Sequence, residues 1–419
     1  MSLNFETVSL GEHLYIKGRI GWKGLKKEEY LDQGDYRIIN ATALEEEGIN
    51  WDDCGYISKE RFEESPEIIL KDKDILISKD GTIGKLGYVK NLEMDSTVAS
   101  GIFVVRNQNE EYIDTDFLYY YFKSPFFKWF IKSVTEGSVI PHLYQRDFTD
   151  MEFNLFDLDT QKKCSSILNA IEEKINVNRK INKNLDNQMY LLFNNYFLKF
   201  VSSNENNDLD IPDGWKFKKL SEFVIKSNTG ADAIKKAPIV DYDTGIKCIR
   251  TGDLSNNRSF EEWGYADISE GNYDKYKLSK GDIIVARTGT ASLGLNRFIM
   301  EDLNAVYNNG LIRLKIDYSK ISHLFLYGYL NSYIYKKYIE AITIETSTRP
   351  NMKINYLINF KMLCPPYNIQ QKYEGLTKNM LFLKYKLEKE ILSLNKLRDV
   401  LLPKLMSGEI DISKINCDF

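Results

Sequence analysis

Asp74-Ile75-Leu76-Ile77-Ser78-Lys79-Asp80-Gly81-Thr82 and Asp282-Ile283-Ile284-Val285-Ala286-Arg287-Thr288-Gly289-Thr290 are two versions of one phrase. Each is a short apolar strand ending in a basic residue and a Gly-Thr turn. They lie 282 − 74 = 208 residues apart. Other matches keep the register. Tyr121-Phe122-Lys123-Ser124 pairs with Tyr329-Leu330-Asn331-Ser332 at 208, Pro141 with Pro350 and Gln161 with Gln370 at 209, and Phe5 and Leu10 with Trp215 and Leu220 at 210. An offset that drifts so little across a half-chain indicates a tandem duplication, about 210 residues per copy.

Each copy divides into two parts. The first is a mixture of short strands, turns and helices, with extended runs at 36–39, 74–78 and 102–105, and at 246–249, 282–286 and 310–314. A tyrosine-rich helix follows, near 116–130 and 322–340. The second part is one long helix. In copy one Asp159 is the expected N-cap. The seam Leu168, Ile171, Ile175, Asn178, Asn182, Leu185, Met189, Leu192, Tyr196 alternates steps of three and four, the heptad pattern of a coiled coil. In copy two Asn368 is the expected cap after Pro365-Pro366, with the seam Leu376, Met380, Leu383, Leu387, Glu390, Leu394, Leu397, Leu401. Two such stripes in one chain most simply bury each other, and a helix lying alone on its own domain explains the long stripes less well.

The expected architecture is α+β, with two tandem globular heads separated by two long helices packed as an antiparallel coiled coil with pseudo-twofold symmetry. The expected segments are a first head (1–157), a first long helix (158–201), a polar linker (202–210), a second head (211–364), a second long helix (365–410) and a C-terminal tail (411–419).

Composition narrows the chemistry. The 419 residues are 43% hydrophobic and 28% charged, as in globular chains. The net charge, 56 − 60 = −4, argues against nucleic-acid binding by bulk charge and leaves room for local basic faces. Five scattered cysteines with no C-x-x-C pair suggest reduced thiols in a cytoplasmic protein. Three distant histidines supply neither a zinc site nor a histidine-based triad well, so no metal is expected. No run is long enough for a membrane span, and the N-terminus does not read as a leader.

Local motifs point away from catalysis. Gly81-Thr82-Ile83-Gly84-Lys85 has two residues between its glycines where a phosphate loop needs four, and Leu86 follows the lysine. It reads as a tight strand-to-strand turn, or as a turn that offers Thr82, Lys85 and backbone N–H groups to a DNA phosphate. Cys364-Pro365-Pro366-Tyr367 puts a thiol where an amino-methyltransferase motif needs an Asp or Asn. Glu172-Glu173-Lys174 reads as a solvated helix face. No catalytic residue is expected. What remains are basic and amide groups at turns: Arg19, Lys23, Lys26, Lys27, Lys79, Lys85, Gln145 and Arg146 in copy one, with Lys235, Lys236, Arg287, Arg349 and Asn351 in copy two. These side-chain types grip phosphates and read base edges. The expected DNA-binding set is Lys23, Lys26, Lys79, Thr82, Lys85, Gln145, Arg146, Arg287, Thr290, Arg349 and Asn351.

The order of these features resembles the DNA specificity subunits of type I restriction-modification systems. The resemblance is carried by Pro212-x-Gly214-Trp215 with Leu220, the paired strands with Gly-Thr turns, Pro365-Pro366-x-x-x-Gln370-Gln371, and Leu401-Leu402-Pro403-Lys404-Leu405-Met406-Ser407-Gly408-Glu409-Ile410. Phe5 stands where tryptophan is usual, and the first helix opens without the proline pair. The resemblance implies a non-enzyme whose two heads each read half of a split DNA target. It implies helices that set the gap and dock two methyltransferase subunits, and it allows two restriction and motor subunits to join. S-adenosylmethionine, ATP and magnesium would belong to those partners. The rival expectation is a stand-alone DNA adenine methyltransferase or nuclease.

Overall fold

A strand that is apolar at every position must be covered on both faces. The computed structural model describes residues 5–20, 24–45, 48–136, 142–149, 151–200, 211–232, 235–345 and 351–412. The expected linker at 202–210 and the tail beyond residue 412 lie outside these. Copy one contains β1 (Glu6–Ser9), β2 (Leu14–Gly18), β3 (Tyr36–Ile39), β4 (Leu44–Glu45), β5 (Gly48–Ile49), β6 (Gly55–Ile57), α1 (Lys59–Glu63), β7 (Ile75–Ser78), β8 (Leu86–Tyr88), β9 (Ser96–Val98), β10 (Ile102–Asn107), α2 (Thr115–Lys123), α3 (Pro125–Thr135), α4 (Gln145–Thr149), β11 (Glu152–Leu155) and the long α5 (Leu158–Tyr196). Copy two contains β12 (Lys216–Lys219), β13 (Val224–Thr229), β14 (Ile239–Val240), β15 (Lys247–Ile249), α6 (Thr251–Ser255), β16 (Gly264–Ala266), α7 (Glu270–Tyr276), β17 (Ile283–Ala286), β18 (Asn296–Phe298), β19 (Ala305–Tyr307), β20 (Leu311–Ile316), α8 (His323–Leu330), α9 (Tyr333–Glu345), α10 (Ile354–Ile358), β21 (Lys361–Cys364) and the long α11 (Tyr367–Met406).

The duplication is visible strand by strand. Copy one has a four-stranded sheet in the order β2-β10-β7-β8, and copy two has β13-β20-β17-β18. The second sheets are β6-β3-β9 and β14-β16-β15-β19, with one parallel pair in each, β3 with β9 and β15 with β19. Each copy also ties its ends together, β1 to β11 and β12 to β21.

The repeated phrase forms the central strands β7 and β17. Successive side chains alternate faces. Ile75 and Ile77 join Phe117, Phe148 and Phe153 in a core under the helices, while Leu76 joins Ile39, Leu44 and Val98 under the second sheet. In copy two, Ile283 and Val285 face Phe325, Tyr329 and Tyr335, while Ile284 and Ala286 face Cys248, Val306 and Tyr307. Two cores per head explain the continuous apolar run.

Two compact units form, Met1–Asn176 with Ser393–Phe419, and Val177–Leu392. Each long helix therefore gives part of its length to each unit. Within the first unit Leu402, Leu405, Met406 and Ile412 enter the same core as Leu10, Phe117 and Leu168. Within the second, Met189, Phe193 and Phe197 of the α5 end enter the core of copy two. The two helices pair antiparallel. In the first unit Glu172 meets Arg398 at 3.1 Å. In the second, Asn178 donates to Glu390 at 3.0 Å, and Lys384 meets Asp186 at 2.7 Å. The partner number falls as the other rises.

Several expectations about the helices need correction. α5 is capped by Asp157, whose carboxylate accepts from the Thr160 N–H at 2.9 Å, so Asp159 lies in the first turn. α11 begins at Tyr367, and the Pro366 carbonyl accepts from the Ile369 N–H, so Asn368 is inside rather than at the cap. The tyrosine-rich helix of each copy is two helices, α2 with α3 and α8 with α9, broken at the aligned Ser124 and Ser332. Pro125 cannot supply the N–H that would continue α2, and it starts α3 instead.

The α5 seam is largely inward: Leu168, Ile171, Ile175, Leu185 and Met189 are buried, and Leu192 packs on the core. On α11, Leu387 is buried, Met380 and Leu401 pack on cores and Leu394 is half-buried, but Leu376, Leu383 and Leu397 are exposed. The buried stripe there runs through Gln370, Tyr373, Thr377, Leu381 and Leu387, with Lys384 mostly covered and held by Asp186. Polar residues at inward positions disguised it. Asn178 of the α5 seam is fully buried and donates to Glu390, the polar seam position of the other helix.

Glu172 is likewise not on a solvated face. Its carboxylate sits between Lys123 at 2.8 Å and Arg398 at 3.1 Å, with less than a fifth of each side chain exposed. Burial pushes its pKa up, but Lys123 and Arg398 outweigh this and hold it below the ordinary value. Arg398→Met should destabilise the first unit by about 1–3 kcal/mol in thermal unfolding. A lowered carboxylate pKa stabilises above the unfolded value and loses that contribution as pH falls through the folded one. The difference between variant and wild type should therefore narrow as pH drops below the ordinary glutamate value of 4.5.

Candidate nucleic-acid interface

The basic residue that ends each central strand is held in the same backbone frame twice. Lys79 N–H donates to the Gly101 carbonyl at 2.9 Å, and the Lys79 carbonyl accepts from Leu143 N–H at 3.1 Å. Arg287 N–H donates to Gly310 at 2.9 Å, and its carbonyl accepts from Met352 N–H at 2.8 Å. The Gly-Thr turns follow, with Gly81 and Gly84, and Gly289 and Gly294, all at positive φ. A Cβ on Gly84 would lie 2.6 Å from Ile131 Cδ1, and one on Gly294 would lie 2.6 Å from Ile339 Cγ1. The turn is thus pressed onto α3 in one unit and onto α9 in the other.

This frame brings sequence-distant candidates together. In the first unit the segment carrying Gln145 and Arg146 docks beside the Lys79–Lys85 turn. In the second, Asn351 bridges to Thr288 beside Arg287 and Thr290. The individual roles differ. Thr82, Gln145, Arg146, Thr290 and Asn351 are exposed. The Arg146 guanidinium lies 4.9 Å from the Tyr144 ring centre, and Tyr144 is itself exposed. Lys79 is mostly covered, lying over Phe103 and 3.7 Å from Asp80. Lys85 reaches the Ala41 carbonyl at 3.3 Å, and Arg287 donates to Met352 and Asn309 carbonyls at 3.3 and 3.2 Å. These two cations brace the loops.

Lys26 is exposed at a short 3-10 turn away from this frame in sequence, as is Lys27. Lys235 and Lys236 are also exposed, on a turn where Asp232 accepts both backbone N–H groups. Lys23 and Arg349 lie outside the described residues. Arg19 is a core strut, 2% exposed and donating to Val98 O and Ser65 Oγ.

Two residues that composition passed over lie in the frame. His142 Nδ1 is hydrogen-bonded to Asp80 Oδ1, and its ring stacks edge-on against Tyr144 at 4.5 Å. The available signal was the Pro141–Pro350 match at 209, which places His142 opposite Asn351 (351 − 142 = 209).

Elsewhere the reactive residue types are in quiet surroundings. Burial pushes the Cys248 and Cys364 thiols up to about 12 and Cys54 to about 11. Burial pulls His323, packed against Phe298 and Tyr318, down to about 4. Among the described residues no group of three or more His, Cys, Asp or Glu could hold a metal ion, and no helix is long and apolar enough to cross a membrane.

Comparison with known proteins places this twofold design. The chain is 26% identical over 439 aligned positions to the type I restriction enzyme MjaVIII specificity subunit of Methanocaldococcus jannaschii, covering 99% of this chain and 94% of the relative. It is 25% identical over 371 positions to the MjaIX specificity subunit of the same organism, covering 83% and 82%. The fold is similar to the crystal structure of a type I restriction-modification S subunit from M. genitalium, with a TM-score of 0.61, 17% identity and 96% of both chains covered. Residues 3–187 and 212–392 each match the family described as the type I restriction modification DNA specificity domain, one match per copy. The duplicated chain belongs to that family and is a specificity subunit.

Proposed function

We propose that this chain is the non-catalytic DNA reader of a type I restriction-modification complex, working in the cytoplasm. Each head reads one half of a bipartite target. The long helices set the gap between the halves and dock two methyltransferase subunits, which flip out and methylate an adenine in each half. Two restriction and motor subunits complete the nuclease form. S-adenosylmethionine, ATP and magnesium are bound by those partners. The observation that carries this reading is the loop frame built twice with the same backbone bonds and different outward side chains beside the shared Gly-Thr turn (Gln145 and Arg146 in one head, Asn351 in the other). A scaffold kept constant while its exposed groups diverge suits two readers of unlike half-sites.

With a net charge of −4, the chain alone should bind duplex DNA weakly, and the complex with methyltransferase subunits should bind it tightly. Binding titrations at several salt concentrations test this. Arg146→Ala in the complex should weaken binding and reduce the salt slope by about one. Equal affinity with and without the partners would contradict the proposal. Methyl transfer or cleavage by the purified chain alone would restore the stand-alone enzyme.

A further inference from the structure

The two loop frames share their backbone hydrogen bonds and differ in side chains at two matched positions. The residue after the strand-ending base is Asp80 in the first head and Thr288 in the second. The residue before the returning N–H is His142 in the first and Asn351 in the second. Two backbone hydrogen bonds fix each pair in place, Lys79 with Leu143 and Gly101, Arg287 with Met352 and Gly310. Asp80 with His142 and Thr288 with Asn351 are therefore equivalent positions, independent of any sequence match.

The structural residues around them are kept. Gly84 and Gly294 press on Ile131 and Ile339, and Gln161 and Gln370 fill the same buried role. The pairs are not kept, although the same backbone hydrogen bonds hold both frames. Neither pair is needed to hold the frame, because main-chain groups hold it. Both are open to solvent: the Asp80 and His142 side chains are 46% and 27% exposed, and Asn351 is exposed. A carboxylate beside Gly81-Thr82 also makes poor sense as a phosphate grip, since it repels the backbone of DNA. It makes sense as an acceptor for a base edge.

We infer that Asp80 with His142, and Thr288 with Asn351, are the positions at which each head discriminates bases, an inference that rests on the DNA-reading function proposed above. The first pair is built around a carboxylate acceptor. The Asp80 carboxylate is hydrogen-bonded to His142 Nδ1 through one oxygen and keeps the other as an acceptor. Such a pair suits an exposed amine in the major groove, N4 of cytosine or N6 of adenine. The second pair offers both a donor and an acceptor, and an amide of this kind suits the N6–N7 edge of adenine. The same frame thus carries a carboxylate reader in one head and a hydroxyl-and-amide reader in the other.

The experiment exchanges the pairs in the full chain, assembled with its methyltransferase subunits, and maps the methylated sequence on a plasmid library with a randomised insert. Asp80→Thr with His142→Asn should shift the preference about five- to hundredfold at one or two adjacent positions of one half-site and leave the other half intact. Thr288→Asp with Asn351→His should do the converse. An unchanged motif, a change in both halves, or a uniform fall in methylation with the motif preserved would each overturn the inference. If a double variant does not assemble, His142→Gln and Asn351→Asp take its place, with the same outcomes required. A wild-type motif without two separate halves would instead refute the two-head reading, so the two failures are distinguishable.

Discussion

A chain that stops at Leu392 should lose its first head and keep its second. Leu402, Leu405, Met406 and Ile412 lie in the core that holds Leu10, Phe117, Phe153 and Leu168. All four are nearly inaccessible to solvent. Burying such side chains contributes roughly 1.5–3 kcal/mol each, so together about 6–12 kcal/mol. That is comparable to the whole stability of a typical domain, roughly 5–15 kcal/mol. The truncation also removes Arg398 and leaves Glu172 with Lys123 alone. Amide hydrogen exchange reads the outcome directly. β7 and β10 should lose protection, while β17 and β20, whose core draws on residues 189–381, should keep it. Full protection of β7 in the truncated chain would show that the C-terminal segment is not part of the first unit.

The second large effect concerns two buried glutamines at equivalent helix starts. Gln161 Nε2 donates to the Phe156 and Tyr112 carbonyls at 2.7 and 3.0 Å, and its Oε1 accepts from Asp114 N–H at 2.8 Å. Gln370 Nε2 donates to the Pro365 carbonyl at 2.9 Å, and its Oε1 accepts from Ser322 N–H at 2.9 Å. Asp114 and Ser322 are the N-caps of α2 and α8. Each glutamine thus fastens α2 or α8 to the start of a long helix, and both are fully or almost fully buried. Alanine at either site strands backbone groups without partners, at about 1–3 kcal/mol per group. Gln161→Ala should cost the first unit about 2–5 kcal/mol and leave the second unit unmoved; Gln370→Ala should do the reverse. Hydrogen exchange on both variants checks this, and equal loss in both units from one substitution would contradict it.

Those glutamines show what was legible in the sequence and why. The Gln161–Gln370 match is readable because both helix starts need a buried amide that donates to and accepts from main-chain groups. The same holds for the central strands, whose two covered faces demand an uninterrupted apolar run. The α11 stripe is not legible in the sequence, for the opposite reason. Its inward positions include Thr377 and Lys384, which are satisfied by the Tyr373 carbonyl and by Asp186, and no apolar periodicity announces them. Exposed Leu376 and Leu383 drew the seam to the wrong face. The helix caps were off because Asp157 and Asp159 are both acidic, and only the chain direction before the helix chooses between them. At the interface, residue type suggested Lys85 and Arg287 as phosphate ligands, but their partners are backbone carbonyls brought near by folding. His142 and Asp80 were hidden because their meeting depends on a contact across 62 residues.

On the function proposed above, one chain carries two independent readers. The most direct measurement replaces residues 1–157 with the first head of another family member, with Leu402, Leu405 and Met406 matched to the incoming core. The chimera is assembled with its methyltransferase subunits, and the methylated sequence is mapped by single-molecule sequencing. The chimera should show a new first half, an unchanged second half and an unchanged gap. A change in both halves, or in neither, would contradict that function.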